Sequence, residues 1–359
     1  DIHGIHHGGD EVASVWRSTD GGVTWGPPGG YIAVSGAQEL TELDRPWFAV
    51  DNSDGPHDGR LYMSYETTPF VPIPPEVYVK HSDDQGQTWS KTVRVDDGIY
   101  ETQFNARAKP IVGAGGVLYV VYDKAPITVT PFAPQTAPIH LVVARSTDAG
   151  ETFEHSEAEN HVHRIKSPDE ATDFYTEMIS AIAADPKHAG RVAIAWPEAK
   201  GNSSSRILLR YSSNGGESWS GRIDVADDSA TTANQHDHVT LAWYRDGRLF
   251  VGWRDRRCCG GSFTSPYEQR VRVLNPKPRK RKRHRKATPA FKLVPGRTVR
   301  YSGPEPPNAS GRGMLAPDEF QGLVATKLGV ALTWSKLTGE LDDLMFRRIP
   351  LRAFRPKRR

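Results

Sequence analysis

Apolar residues in this chain come in strand-length runs bounded by Gly, Pro, Asp, Asn and Ser. "EVYVK" at 76–80, "IHLVVA" at 139–144 and "RILLRY" at 206–211 form one set. A second set follows a glycine and ends on an aromatic residue: "GRLYMSY" from 59, "GGVLYVVY" from 115, "GRVAIAW" from 190, "GRLFVGW" from 247 and "GVALTW" from 329. Upstream of these lies a third set, with "RPWFAVD" from 45, "AKPIVGA" from 108, "MISAIAADP" from 178, "HVTLAWYRDG" from 238 and "FQGLVATKLG" from 320. A fourth follows the first set, as in "KTVRVDD" from 91. Runs of this length with turn residues between them predict β-strands. Their fixed order predicts units of four antiparallel strands, each a meander.

A polar box punctuates the units. "RSTDGGVTW" (17–25), "HSDDQGQTW" (81–89), "RSTDAGETF" (145–153) and "YSSNGGESW" (211–219) share one pattern, and their serines are spaced by 64, 64 and 66 residues. A period of this size marks repeated supersecondary units. Asp20, Asp84, Asp148 and Asn214 are suited to accept forward backbone N–H groups, and Gly22, Gly86, Gly150 and Gly216 allow a positive φ. The box is therefore expected to be a hairpin tip with a structural role.

The pattern S-x-D-x-G-x-T-W resembles the Asp-box, or BNR repeat, of the sialidase superfamily. The resemblance covers nearly the whole chain, with four boxes in register. It implies an all-β fold, a six-bladed β-propeller of four-stranded antiparallel blades, with the boxes at the blade hairpins. Residues 1–350 are expected to form this single domain, followed by a basic tail at 351–359. The implied activity is that of a glycoside hydrolase. Asp-box propellers also include lyases and non-catalytic binders, so a glycan- or protein-binding propeller is the alternative. The Arg-Ile-Pro motif that sialidases carry before the first box does not precede Ser18.

Strand direction alternates in a meander, so the start of strand one and the end of strand two share an end of the blade, away from the boxes. Long insertions fall there too, at 66–76, 124–138, 155–176, 257–269 and 301–318, and long loops often carry function. The strand-one starts supply a charged ring: Asp44 and Arg45, Arg107 and Lys109, Tyr175 and Glu177, His236 to His238, and Asp318, Glu319 and Gln321. The strand-two ends supply a second, made of Glu66, Asp123, Glu198, Arg254 with Asp255, and Lys336. Sialidases hold a substrate carboxylate with three arginines, for which the guanidinium fork is suited. By that resemblance Arg45, Arg107 and Arg254 are expected to bind an anionic sugar. Asp44 and Glu177 are the candidate acid/base pair, and Tyr175 is a candidate nucleophile. Asp255, His236, Asp237, His238, Glu198, Asp318, Glu319 and Gln321 are expected around the substrate.

Charge and cysteine content change the picture only locally. The net charge is +3, but 277–286 holds eight Lys or Arg and 351–359 five more, which leaves the rest of the chain at −10. The basic run replaces a box in the fifth unit, and solvated appendages are its expected state. Nucleic-acid binding through it ranks below glycan binding. No run of 18 apolar residues spans a membrane. The opening "DIHGIHHGGDE" reads as a processed, trimmed or truncated start, and secretion is the expected destination. His236-x-His238 is a weak metal signal, and neither a metal nor a cofactor is expected. Cys258 and Cys259 are adjacent; they either remain thiols or close a vicinal disulfide.

Overall fold

The computed structural model describes residues 2–7, 10–20, 23–26, 41–69, 75–98, 103–126, 138–163, 165, 180–201, 204–227, 234–260, 266–278, 291–305, 321–338 and 341–356. The chain divides into two compact units, Asp1–Pro131 with His140–Asn160, and Phe132–Ile139 with His161–Arg359.

In the first unit, β1 (Ile2–His7) and β2 (Asp10–Val15) form a two-stranded antiparallel sheet. A four-stranded sheet follows, with β3 (Thr41–Val50), β4 (Leu61–Pro69), β5 (Val77–Ser82) and β6 (Val93–Arg94) in sequential order. The next is built from β7 (Gln103–Val112), β8 (Leu118–Pro126), β9 (Ile139–Ser146) and β10 (Glu154–Val162). Val77, Val79, Val120, Tyr122 and Ala144 meet in the core between these two sheets.

In the second unit, β11 (Ala181–Ala184), β12 (Val192–Lys200), β13 (Ser204–Ser212) and β14 (Ile223–Asp224) form one four-stranded sheet. The second comprises β15 (His236–Trp243), β16 (Leu249–Asp255), β17 (Glu268–Pro278) and β18 (Phe291–Arg300). A three-stranded sheet of β19 (Gly322–Thr326), β20 (Gly329–Thr338) and β21 (Leu341–Ile349) completes it. The strands of the second set, "GRVAIAW" and "GRLFVGW", are buried along their whole apolar length. Both faces of such a strand meet apolar neighbours, which explains why its sequence runs continuously apolar. Among the described residues no helix is long and apolar enough to cross a membrane.

The expectation of six four-stranded blades needs correction. The described residues form five blade-like sheets, four of four strands and one of three, rather than six. The N-terminal segment has only β1 and β2 ahead of its box, so it makes a two-stranded hairpin. In the fifth unit of the sequence, Lys277 pairs with Lys292 and Pro278 with Phe291 at the end of the β17–β18 hairpin. The basic run thus occupies the place of a box; its residues 279–286 lie outside the described ones.

The boxes form as the sequence predicts. The hydroxyl of Ser82 donates to Asp84 Oδ1 at 2.8 Å and accepts the Gly86 N–H at 2.8 Å. Asp84 then accepts the Thr88 N–H at 2.8 Å and the Thr88 hydroxyl at 2.6 Å. Ser146, Asp148 and Thr152 repeat the arrangement, as do Ser212, Asn214 and Ser218. Gly86, Gly150 and Gly216 have φ of 88°, 94° and 97°, a region that glycine enters without steric cost.

These hydrogen bonds favour the ionised carboxylate. Thr88 holds Asp84 down to about 2, and Thr152 holds Asp148 down to about 2. A depressed folded value means the contribution to stability is present above the unfolded value and lost as pH falls through the folded one. A carboxyl-carbon NMR titration is expected to find both midpoints at about 2, and Thr88→Val to return Asp84 towards 3.8. A midpoint for Asp84 that Thr88→Val leaves unmoved counts against the box as the cause.

Candidate functional site

Three sheets break register at the same step of strand one. β3 and β4 pair Asp44 with Glu66, then jump to Trp47 with Ser64. β7 and β8 pair Ala106 with Asp123, then Lys109 with Val121. β15 and β16 pair Asp237 with Arg254, then Thr240 with Gly252. Each jump inserts one extra residue into strand one, which is a β-bulge and re-aims the side chains there. In each bulge a non-glycine residue has positive φ: Arg45 at 48°, Arg107 at 59° and His238 at 49°. Left-handed backbone costs a non-glycine residue roughly 1–2 kcal/mol. Glycine would relieve that cost, so retaining a long side chain at all three bulges points to a use for it.

In the first unit the bulges are joined through one carboxylate. Arg45 donates to Glu66 Oε1 at 2.7 Å, and Glu66 Oε2 accepts the backbone N–H of Arg107. Arg107 in turn donates to Asp123 Oδ2 at 3.2 Å. Glu66, Arg107 and Asp123 are all buried. Lys109 follows on the same strand, with its ammonium 4.2 Å from the centre of the Trp47 ring. Burial pushes Lys109 down to about 7, with Asp123 opposing it.

A lysine depressed in the fold carries a cost that is fully present below its folded value and relieved as pH rises towards its unfolded value near 10.5. Lys109→Met is therefore expected to stabilise the protein at pH 6, on the order of 2 kcal/mol given the part-exposed position. The gain should fade between pH 7 and 10.5. Urea unfolding of both proteins at pH 6 and pH 10 checks this; a gain of equal size at both ends counts against a buried ammonium.

In the second unit the charges are exchanged between strands: the carboxylate, Asp237, is on strand one and the arginine, Arg254, on strand two. Asp237 accepts Arg254 Nε at 2.5 Å and Arg256 Nη1 at 2.7 Å, and lies 3.2 Å from His238 Nδ1. Burial pushes the Asp237 carboxyl up, but Arg254 and Arg256 overcome this and hold it well below the ordinary range. Burial, reinforced by Arg254, pushes His238 down to about 4, so the imidazole is neutral at pH 7. Its Nδ1 lies between the Arg254 guanidinium and Asp237 Oδ1, within hydrogen-bond reach of both.

Both guanidiniums lie against one ring, with Arg254 at 5.0 Å and Arg256 at 5.6 Å from the centre of Tyr267. Gln269 stands opposite Arg254 on β17, fully buried, and its amide has no hydrogen-bond partner among the described residues. Among the described residues the cluster brings two guanidiniums onto one carboxylate.

Glu198 and Asp255 are placed differently. Aligned on the aromatic that ends strand two, Glu66 and Asp123 follow Tyr65 and Tyr122 directly, as Arg254 follows Trp253, whereas Glu198 and Asp255 come one residue later. One residue along a strand reverses the face. On that other face the Trp196 indole donates to Glu198 at 3.1 Å, and Trp253 donates to Asp255 at 3.0 Å. Arg206 and Arg222 neutralise Glu198 at 2.8 and 3.1 Å. Arg257 donates to Asp255 at 2.9 Å. The expected second ring is thus two sets on opposite faces, and Glu198 and Asp255 stitch strands together.

The remaining residues divide as follows. His236 is fully buried, its Nδ1 3.6 Å from Asp255 Oδ2 and its backbone tied to Ser205. Gln321 is buried at the start of β19. Asp44 lies on β3 at the position paired with Glu66. Tyr175, Glu177, Asp318 and Glu319 fall outside the described residues. Among the described residues no three His, Cys, Asp or Glu converge as a metal site. Cys258 and Cys259 are joined in a vicinal disulfide, in a turn closed by the Cys259 N–H on the Arg256 carbonyl at 3.0 Å. Arg256, Tyr267 and Gln269 were not singled out from the sequence; the doubled arginine in "WRDRR" was the signal available for Arg256.

Residues 80–91 match the BNR/Asp-box repeat. Over 97% of its length the chain superposes on the intramolecular trans-sialidase from Ruminococcus gnavus, covering 90% of that protein, with a TM-score of 0.57 and 12% identity. The chain has the β-propeller fold and carries an Asp-box repeat at 80–91. The propeller is also similar to a protein of unknown function from Dyadobacter fermentans, with a TM-score of 0.55 and 15% identity, over 95% of this chain and 84% of that one. A leech intramolecular trans-sialidase gives a TM-score of 0.57 at 13% identity, and the propeller spans 64% of its length. At such identities the likeness is one of fold. No curated protein matches the propeller by sequence.

Proposed function

We propose that this propeller is a secreted glycoside hydrolase acting on a carboxylate-bearing glycan, at the blade end away from the Asp-boxes. The observation that carries the reading is the recurrence of one bulge, with arginine in or beside it, in three sheets. The fold shared with two trans-sialidases supports it. In this reading Arg45 and Arg107 in the first unit and Arg254 in the second are the groups that recognise carboxylate, each guanidinium fork offering two parallel hydrogen bonds. Asp44 and Glu177 transfer protons at the glycosidic bond, and Tyr175 is the candidate nucleophile. Neutral His238 supplies a hydrogen-bonding ring at the third bulge without adding charge.

The test is turnover on a panel of a sialoside, uronic-acid substrates and neutral aryl glycosides, with and without chelator. Release from an acidic substrate is expected, and Arg107→Ala should lower kcat/KM about 100-fold, the loss of roughly one charge-assisted contact pair. Asp44→Asn and Glu177→Gln should each abolish turnover with the fold intact. Full activity in both removes the acid/base assignment.

One observation favours a second reading, a non-catalytic glycan binder. Arg45, Arg107 and Arg254 already have internal carboxylates in Glu66, Asp123 and Asp237. Binding of an acidic glycan without product over long incubation selects that reading.

A further inference from the structure

The first Asp-box hairpin borders a cavity of about 400 Å³, lined by Trp16, Arg17, Trp25, Phe48, Leu61 and Gln85. It lies at the box end of the first unit. Leu61 begins β4, whereas Glu66 sits five residues further along, about 17 Å away at strand rise. The cavity is therefore remote from Arg45 and Glu66.

Its aromatic lining is unusual for this repeat. Trp89, the equivalent residue of the second box, packs on Phe48 at 5.8 Å and donates its indole N–H to Gly86 O at 3.2 Å. Phe153 of the third box packs against the core. Trp25 instead is 56% exposed, and Trp16 on the facing arm of the same hairpin is 42% exposed. That hairpin is closed by paired backbone bonds of Arg17 and Gly26 at 2.8 and 3.1 Å. Leaving two indoles of one rigid hairpin in water gives up the burial that tryptophan ordinarily gains, and clustered exposure of this kind marks a binding surface.

Polar groups edge the aromatic surface. Arg17 reaches from the hairpin to the second box and donates to the Gln85 side-chain carbonyl. Gln85 is itself held at a positive φ of 63° by the box turn. An apolar floor with donors and acceptors at its rim matches a pyranose ring, which has C–H faces and peripheral hydroxyls. The lining is mostly apolar, and its charged side chain, Arg17, is turned to the Gln85 amide. Stacking on the rings, which needs no charge on the ligand, is therefore the interaction the cavity is built to give.

We propose that this cavity is a second, non-catalytic site that binds a neutral oligosaccharide by stacking on Trp16 and Trp25. Its volume falls at the lower end of ligand pockets, roughly 300–1,000 Å³, so it takes a short segment of a chain. Such a site holds a polymeric glycan at the box end, independently of the arginine clusters.

The experiment is calorimetric titration of the full chain with cellohexaose, xylohexaose, chitohexaose and maltohexaose, with 3′-sialyllactose as the acidic probe. At least one neutral hexaose is expected to bind and to perturb tryptophan fluorescence. Trp16→Ala and Trp25→Ala should each weaken that binding about tenfold or more, the equivalent of one 1.4 kcal/mol step. Trp25→Tyr, which keeps a stacking ring, should retain most of it, with far-UV circular dichroism and the melting temperature as fold controls. Arg107→Ala should leave it unchanged, which separates this site from the acidic-glycan reading. The proposal fails if none of the four hexaoses binds. It fails equally if binding survives both Trp→Ala changes, or if Arg107→Ala removes it.

Discussion

Asp237→Asn is expected to destabilise the second unit by about 3–5 kcal/mol, the usual consequence of removing one partner from a buried ion pair. Among the described residues Asp237 is the carboxylate that both Arg254 and Arg256 bind, and all three are fully buried. Without it, two buried guanidiniums beside the Tyr267 ring lose the carboxylate they share. The cost is that of uncompensated burial, not the net worth of the pair. Replacing the whole set, as Asp237→Leu with Arg254→Met and Arg256→Met, should recover much of the loss for the same reason. Guanidinium chloride unfolding of the three proteins measures both effects.

The pH dependence has a fixed sign. Asp237 lies well below 3.8 in the fold. Its contribution is therefore present above 3.8 and lost only as pH falls through the lower, folded value. The wild-type advantage over Asp237→Asn should persist undiminished from pH 8 down to pH 5. An advantage that is already lost at pH 5 contradicts the doubly paired carboxylate.

Glu66→Ala is expected to have the second-largest effect, about 3 kcal/mol, together with loss of whatever function depends on the first-unit bulges. Its two oxygens hold different things: the side chain of Arg45 and the backbone of the Arg107 bulge. Truncation leaves a buried N–H unsatisfied and releases the one carboxylate that joins the two sheets at this end. Arg45→Ala removes only the first contact and should cost less. In Glu66→Ala, binding of an acidic glycan should fall at least as far as in Arg107→Ala, because the bulge that aims Arg107 loses its anchor. Retained binding in Glu66→Ala would show that the bulge holds its shape without the carboxylate.

The parts legible in the sequence were those set by local chemistry. The boxes are closed by side chains that reach four residues forward, from Ser82 to Gly86 and Asp84 to Thr88, so residue type and spacing sufficed. The charged positions near the start of strand one were legible by their place ahead of strand two, but the bulges that hold Arg45, Arg107 and His238 were not, because an inserted residue shows only in the register of the paired strands. The facing of Glu198 and Asp255 was not. It depends on an offset of one residue after Trp196 and Trp253, and in a strand one residue reverses the side.

Tyr267, Arg256 and Gln269 were hidden for another reason. Their roles arise from contacts between β15, β16 and β17 that sequence spacing does not encode. The blade count failed where the hydrophobic pattern was thinnest, at the N-terminal hairpin. Asp44 shows the limit from the other side: its register opposite Glu66 is given, and its chemistry rests on the turnover test.

The bulges also make this scaffold readily re-specified. Because each is a single inserted residue with paired residues on either side, a change there is confined to the bulge and to the buried partner that holds it, so the two have to be exchanged together. The natural chain already carries two versions, arginine on strand one in the first unit and histidine with a strand-two arginine in the second. A small library at positions 45, 107 and 238, with the facing residues 66, 123 and 254 varied in step, samples the sign and placement of charge at one end of the blades. Evolution of new ligand preferences and their laboratory selection can thus proceed through six codons while the boxes, at the other end of the blades that carry them, keep the architecture constant.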